Sequence, residues 1–313
     1  MNYEQLITEL ASSDERFVIL TAENRALLRN LPNNPKMVKR FVDTGITEQT
    51  MVGMAAGIAL RGRIPIVHAL APFLTMRAFE FIRTDIGIAH LPVKLTGFIP
   101  GFLSDGNGPT HQSIEDISLM RGIPGMEVFA PADEEDMLLA LPTIWKSSAP
   151  SYVRANLAKP FISHDKNFTI GKAEVVSEGN DITFLVYGML FNQVYQAKEI
   201  LENKGYSVGL INMRSLKPVD REAIRKTAKE SELLITVEDH FKIGGLYSIV
   251  AEVLLGQHLT ANVVSFSLNE SWFKPGRLND VLSYEGFTPD KIASKSIEAL
   301  RSYHVTVPQK QLA

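Results

Sequence analysis

Phe41-Val-Asp-Thr-Gly-Ile-Thr-Glu-Gln49 passes from a short β-rich run through a glycine-bearing turn. It then enters Met51-Val-Gly-Met-Ala-Ala-Gly-Ile-Ala59, a segment rich in small residues. The pattern reads as a strand over 40–43, a turn, and a helix over 48–60, with Thr47 placed to cap the helix. Small side chains let a neighbouring backbone come close, which suits a helix buried at a domain or subunit interface. The same strand-then-helix rhythm continues outward. Strands are expected over 17–20, 64–69, 93–96, 126–129 and 151–154, and helices over 76–90, 113–120 and 134–146. A polar, proline-bearing stretch over 158–166 reads as a linker. Beyond it, strands are expected over 182–187, 208–212, 233–238 and 263–267, and helices over 191–204, 220–231 and 246–255. The fold class is therefore α/β, with two doubly wound domains in series, 1–165 and 166–313.

Composition narrows the function. Of 313 residues, 45% are hydrophobic and 21% charged, which supports a substantial core. A net charge of −3 offers no electrostatic case for nucleic acid or an anionic membrane. The chain has no cysteine, which excludes disulfides, thiolate chemistry and cysteine-based metal sites. Met1-Asn-Tyr-Glu-Gln-Leu6 lacks the basic and apolar regions of a secretory signal. No apolar run approaches the ~20 residues of a membrane helix. A soluble, cytoplasmic protein is expected.

Two residues stand out for chemistry. Glu48 begins the helix after the strand, a position that the helix dipole favours for any acid. His111 lies in Gly101-Phe-Leu-Ser-Asp-Gly-Asn-Gly-Pro-Thr-His-Gln112, ahead of a helix expected to open at Ser113 with Asp116 in a near capping box. A histidine there is suited to proton transfer on a hydroxyl or oxyanion.

Asp43-Thr-Gly-Ile-Thr-Glu-Gln49, Arg77-Ala-Phe-Glu80 and Gly108-Pro-Thr-His-Gln112 resemble motifs of the pyrimidine-binding domain of the transketolase family. Val237-Glu-Asp-His240 and Gly244-Gly-Leu-Tyr-Ser248 resemble the family's C-terminal domain, where Gly244 and Gly245 would open a helix suited to an anion. The resemblance implies thiamine diphosphate and transfer of a two-carbon ketol unit between a ketose and an aldehyde. In that reading Glu48 hydrogen-bonds the cofactor's pyrimidine N1′ and selects its imino tautomer. Phe73 and Leu70 would stack on the pyrimidine, with Glu23 nearby. His111 and Asn107 would meet the substrate. No role in chemistry is assigned to His240.

Three positions depart from the family pattern. Asn107 stands where it has Asp, Ile99 where it has a substrate-binding His, and Leu157 where it has a phosphate-binding Arg. The expected substrate is thus not an ordinary sugar phosphate or presents its anionic group elsewhere, unless Arg77, His68 or a partner residue replaces the missing contacts. The chain also has no Gly-Asp-Gly segment with a downstream Asn to hold a metal-bound diphosphate. The resemblance then implies a split enzyme. A separate N-terminal subunit would hold the diphosphate and Mg²⁺, most simply in an α2β2 assembly. The rival readings are the β subunit of a 2-oxo-acid dehydrogenase E1 component and a non-catalytic partner subunit.

Overall fold

The computed structural model describes residues 1–22 and 28–306. Its strands are β1 (Phe17–Thr21), β2 (Phe41–Asp43), β3 (Ile64–Leu70), β4 (Lys94–Phe98), β5 (Glu127–Phe129), β6 (Ser151–Arg154), β7 (Glu174–Ser177), β8 (Ile182–Val186), β9 (Val208–Asn212), β10 (Ser215–Lys217), β11 (Leu233–Phe241) and β12 (Val263–Leu268). They form a seven-stranded sheet in the order β10-β5-β6-β4-β3-β1-β2 and a five-stranded sheet in the order β12-β11-β8-β9-β7. All pairings are parallel except β10 with β5 and β7 with β9. The helices are α1 (Tyr3–Ser13), α2 (Glu48–Leu60), α3 (Phe79–Phe81), α4 (Asp116–Arg121), α5 (Glu134–Lys146), α6 (Phe191–Glu202), α7 (Arg221–Glu230), α8 (Leu246–Gly256), α9 (Leu278–Glu285) and α10 (Pro289–Thr306). The arrangement is two α/β domains in series. Among the described residues no helix is long and apolar enough to cross a membrane.

Helix α2 shows how the pattern folds. Met51, Val52, Ala55, Ala56 and Ala59 recur at helical spacing and all are buried against the sheet. Burying Met51 and Val52 contributes roughly 1.5–3 kcal/mol each. The single helix expected over 76–90 is instead broken. Two π-helical turns, Phe73–Arg77 and Ile82–Gly87, flank the short α3. A π turn closes over one more residue than an α turn, and such turns are frequent at functional sites.

The two domains share part of their apolar packing. A continuous apolar cluster runs from Leu20, Met51 and Val67 to Leu185, Ile211 and Ile249. Strand β10, which follows β9 in the chain, nonetheless joins the first sheet beside β5. Polar groups reinforce the join. Arg154, at the end of β6, places Nε 2.9 Å from Asp116 Oδ2 and Nη1 2.5 Å from Asp239 Oδ1 on β11. Tyr152 donates to the same Asp116 oxygen at 2.6 Å, and the Arg154 guanidinium lies 5.4 Å from the Tyr187 ring centroid. All these side chains are buried.

The expected linker is pinned as well. His164 bonds Asp133 Oδ2 through Nε2 and Glu174 Oε2 through Nδ1, each at 2.8 Å. Burial opposes the imidazolium, yet the two carboxylates raise its pKa from 6.5 to about 10. Burial likewise opposes the Glu174 carboxylate, but bonds from His164, Asn212 and the Asp165 amide bring it down to about 2.

Two outcomes are expected from these contacts. Arg154→Met leaves Asp116 and Asp239 buried without a cation and lowers unfolding free energy by about 3–5 kcal/mol, read by urea denaturation. His164 is protonated more readily when folded, so its clamp is fully present below pH 6.5 and fades as pH rises through about 10. The stability gap between wild type and His164→Gln should therefore be widest near pH 6 and shrink steadily in denaturation series taken up to pH 10.

Candidate active site

Strand β1 lies between β2 and β3, and the chain leaves β1 towards one edge of the sheet and β3 towards the other. Ligands of open α/β sheets bind in the crevice at such a reversal, beyond the carboxyl ends of the strands. Glu48 follows β2, Phe73 follows β3, and the loop bearing His111 follows β4. The turn into α2 is built locally. The Gly45 amide donates to Asp43 Oδ1 at 2.9 Å, and Gly45 adopts φ +68°, the left-handed region that glycine tolerates.

The side chains then form a contiguous row. Glu48 is 2% exposed, and its Oε2 accepts a hydrogen bond from Arg77 Nη1 at 3.0 Å. Among the described residues its Oε1 accepts none. The Arg77 guanidinium lies 4.1 Å from the centroid of the Phe73 ring. Phe73 in turn meets the His111 ring edge-to-face, with centroids 4.9 Å apart and planes at 70°. His111 Nδ1 pairs with Thr110 Oγ1 at 2.9 Å, and the His111 carbonyl accepts from Ser104 Oγ at 2.7 Å. A buried carboxylate that accepts one hydrogen bond among the described residues, close to an aromatic ring, fits the aminopyrimidine end of thiamine diphosphate.

Several expectations need correction. Thr47 occupies the N-cap position but makes no capping bond, because its hydroxyl donates to the Thr44 carbonyl at 3.0 Å. The helix after the glycine-rich loop opens at Asp116, and Asp116 faces Tyr152 and Arg154 in place of a capping box. His68 is fully buried, with Nε2 on the Tyr3 hydroxyl at 2.8 Å and Nδ1 on the Leu20 carbonyl at 3.1 Å. Burial pushes its pKa down to about 4, and it stacks on Phe98. Both ring nitrogens are engaged in the core, so His68 is not presented to a substrate. Nor does the Gly244-Gly245 turn offer an anion site. The amides of Leu246 and Tyr247 at the start of α8 donate to Glu238, at 2.6 and 2.9 Å.

The remaining residues are placed as follows. Leu70 ends β3 in register with Phe98 and packs on the apolar cluster containing Ile66 and Phe98. Asn107 is exposed, with Nδ2 3.4 Å from Ser104 Oγ. Glu23 lies outside the described residues. Ile99 adopts φ +47°, a left-handed conformation that costs a β-branched residue roughly 1–3 kcal/mol. Two residues on, Gly101 has φ +57°, and a Cβ there would lie 1.8 Å from Asp239 Oδ2. The buried Arg154–Asp239 pair thus shapes the loop that carries His111.

One group among the described residues has metal-like spacing, Asp136, His164 and Glu174. Its atoms are engaged by Arg214, Asn212 and Asp133, at 2.8 to 3.0 Å. It does not fit a diphosphate-bound cation. Sequence reading missed the Glu48–Arg77 pair, for which the Arg77-Ala-Phe-Glu80 string was the available signal. His68→Leu should lower stability by about 1–3 kcal/mol, through the unpartnered Tyr3 hydroxyl, and leave substrate KM unchanged. Denaturation and steady-state kinetics check the two halves of that expectation.

Comparison with known proteins agrees with this fold. The model described as "Transketolase, pyrimidine binding domain" matches residues 1–158, and "Transketolase, C-terminal domain" matches residues 171–292. The chain is 36% identical to the 6-deoxy-6-sulfo-D-fructose transketolase subunit SqwH of Clostridium sp. (strain MSTE9), over 80% of this chain and 79% of that one. It is 32% identical to a putative transketolase C-terminal section of Methanocaldococcus jannaschii, over 96% and 95% of the two chains. A solved structure titled "Split gene transketolase, inactive beta4 tetramer" superposes with a TM-score of 0.85 at 31% identity, covering 96% of each chain. The chain belongs to the transketolase family, of which it spans the pyrimidine-binding and C-terminal domains.

Proposed function

We propose that this chain is the C-terminal-half subunit of a split transketolase. With a separate diphosphate-binding subunit it completes a thiamine diphosphate site and moves a two-carbon ketol unit from a ketose to an aldehyde. The observation that carries this reading is the contiguous row Glu48–Arg77–Phe73–His111. When bound, the cofactor supplies a thiazolium carbon able to hold the two-carbon unit. Glu48 would hold the pyrimidine N1′ through a hydrogen bond in a water-poor setting, where such bonds strengthen. Phe73 adds roughly 0.5–1.5 kcal/mol by stacking. His111 moves a proton at the substrate's hydroxyl or carbonyl oxygen.

The partner subunit holds the diphosphate and Mg²⁺ in this reading, in an α2β2 assembly in the cytoplasm. We place the domain division near 165/166, with the His164 clamp fastening the connection. The donor is a ketose whose anionic end is not held as in ordinary transketolases. Ile99 and Leu157 supply no charge there, and the Clostridium relative is named for a sulfonated sugar.

Calorimetry on the chain with and without its partner, titrated with thiamine diphosphate and Mg²⁺, tests the split site. Tight binding is expected only in the mixture, and tight binding by this chain alone would overturn the division of labour. Glu48→Gln should cut turnover on the order of 100-fold or more without unfolding the chain. His111→Ala should cost about 100- to 10,000-fold in kcat with cofactor affinity nearly unchanged. Efficient turnover of xylulose 5-phosphate would sink the substrate reading.

A further inference from the structure

We propose that Arg77 is the positioning residue of this site, holding Glu48 by one oxygen and Phe73 by its ring face so that both are presented to the pyrimidine together. The inference rests on the role of Glu48 given above. It goes further in assigning Arg77 to Glu48 in place of the substrate.

The geometry argues for it in three ways. Only Nη1 reaches Glu48, at 3.0 Å, and it bonds Oε2 alone. A fork-to-fork pair would engage both oxygens; this single bond favours one orientation of the carboxylate, and among the described residues Oε1 accepts none and is the oxygen that would meet N1′. Arg77 itself is 41% exposed and would be mobile on its flexible stem, yet its guanidinium rests on Phe73 at 4.1 Å. Phe73 and Arg77 are the two ends of one π-helical turn, whose wider loop brings them to the same side. The stacked ring also touches His111, so carboxylate, aromatic shelf and substrate-side histidine form one mechanical unit. A guanidinium suits this task because it offers directional donors and a flat face, whereas an ammonium offers only a point charge. One nitrogen of Arg77 is thereby committed to Glu48.

The test uses the complex with the diphosphate-binding subunit. Thiamine diphosphate and its 1′-deaza analogue, which lacks N1′, are titrated by calorimetry, and exchange of the cofactor's C2 proton is followed by NMR. In wild type, thiamine diphosphate should bind more tightly than the analogue. Arg77→Met should reduce that preference about fivefold and slow exchange about 10- to 100-fold, while the analogue's own affinity changes less than about threefold. Arg77→Lys should fall between the two.

Three results would overturn the proposal. An unchanged preference and exchange rate with a raised donor KM would make Arg77 a substrate ligand. Tighter cofactor binding in Arg77→Met would make it an obstacle that the cofactor displaces. Equal loss of cofactor and analogue affinity with a lowered Tm would make it structural support only. Failure of the wild-type complex to prefer thiamine diphosphate over the analogue would instead remove the Glu48 reading, and the proposal with it.

Discussion

Arg154 is buried between one carboxylate from each half of the chain, Asp116 and Asp239, with the hydroxyl of Tyr152 and the ring of Tyr187 around them. Ions removed from water are costly unless paired and hydrogen-bonded, so these groups are stable only when both halves are in place. The constraint reaches the functional loop. Asp239 also accepts from the Phe102 amide at 3.3 Å and closes over Gly101, where any side chain would collide with it. The backbone at Ile99, Pro100 and Gly101 is therefore shaped by a partner more than 130 residues away. The loop that presents His111 begins there.

The site illustrates a division between rigid and adaptable parts. Glu48 stands at the first turn of a helix whose apolar face is packed on the sheet, so its backbone position is rigid. Arg77 and Phe73 lie on a π turn at the end of β3, partly open to solvent. Glu48 is a buried acid that accepts one hydrogen bond among the described residues, and Phe73 beside it is partly exposed. In the function proposed above, the cofactor's ring would meet Glu48 while the partner subunit holds its charged tail. Other buried acidic groups among the described residues are already bonded. Glu238 is bonded to the first amides of α8, and Asp136, His164 and Glu174 are locked with Arg214 and Asn212.

Much of the fold was legible because local and tertiary preferences agree. The strand 151–154, the strand 208–212 and the helices 48–60 and 134–146 have the bounds that periodicity assigns them. Disagreements arise where long-range contacts decide. The helix over 76–90 reads as continuous, yet packing against α2 and α4 is met by π turns. Strand β10 is three residues long and carries no periodic signal; it exists because the edge of β5 is available to pair with it. His68 looks functional in a list of polar residues near a motif. In space it faces Tyr3 and Leu20, neither of which is near it in the chain.

The sequence by itself determined the two α/β units, the family, and the identity of Glu48, Phe73 and His111 as the residues to examine. Short-range strings such as Asp43-Thr-Gly-Ile-Thr-Glu-Gln49 encode turn geometry and helix onset, which depend on neighbours in the chain. Only the tertiary structure decided that Arg77 pairs with Glu48, that His68 belongs to the core, and that Arg154 joins the halves. Those outcomes depend on which charges and rings meet after the sheet has ordered its strands. Burial then settles them, because an ion or ring nitrogen out of water must find its partner wherever the fold has placed one.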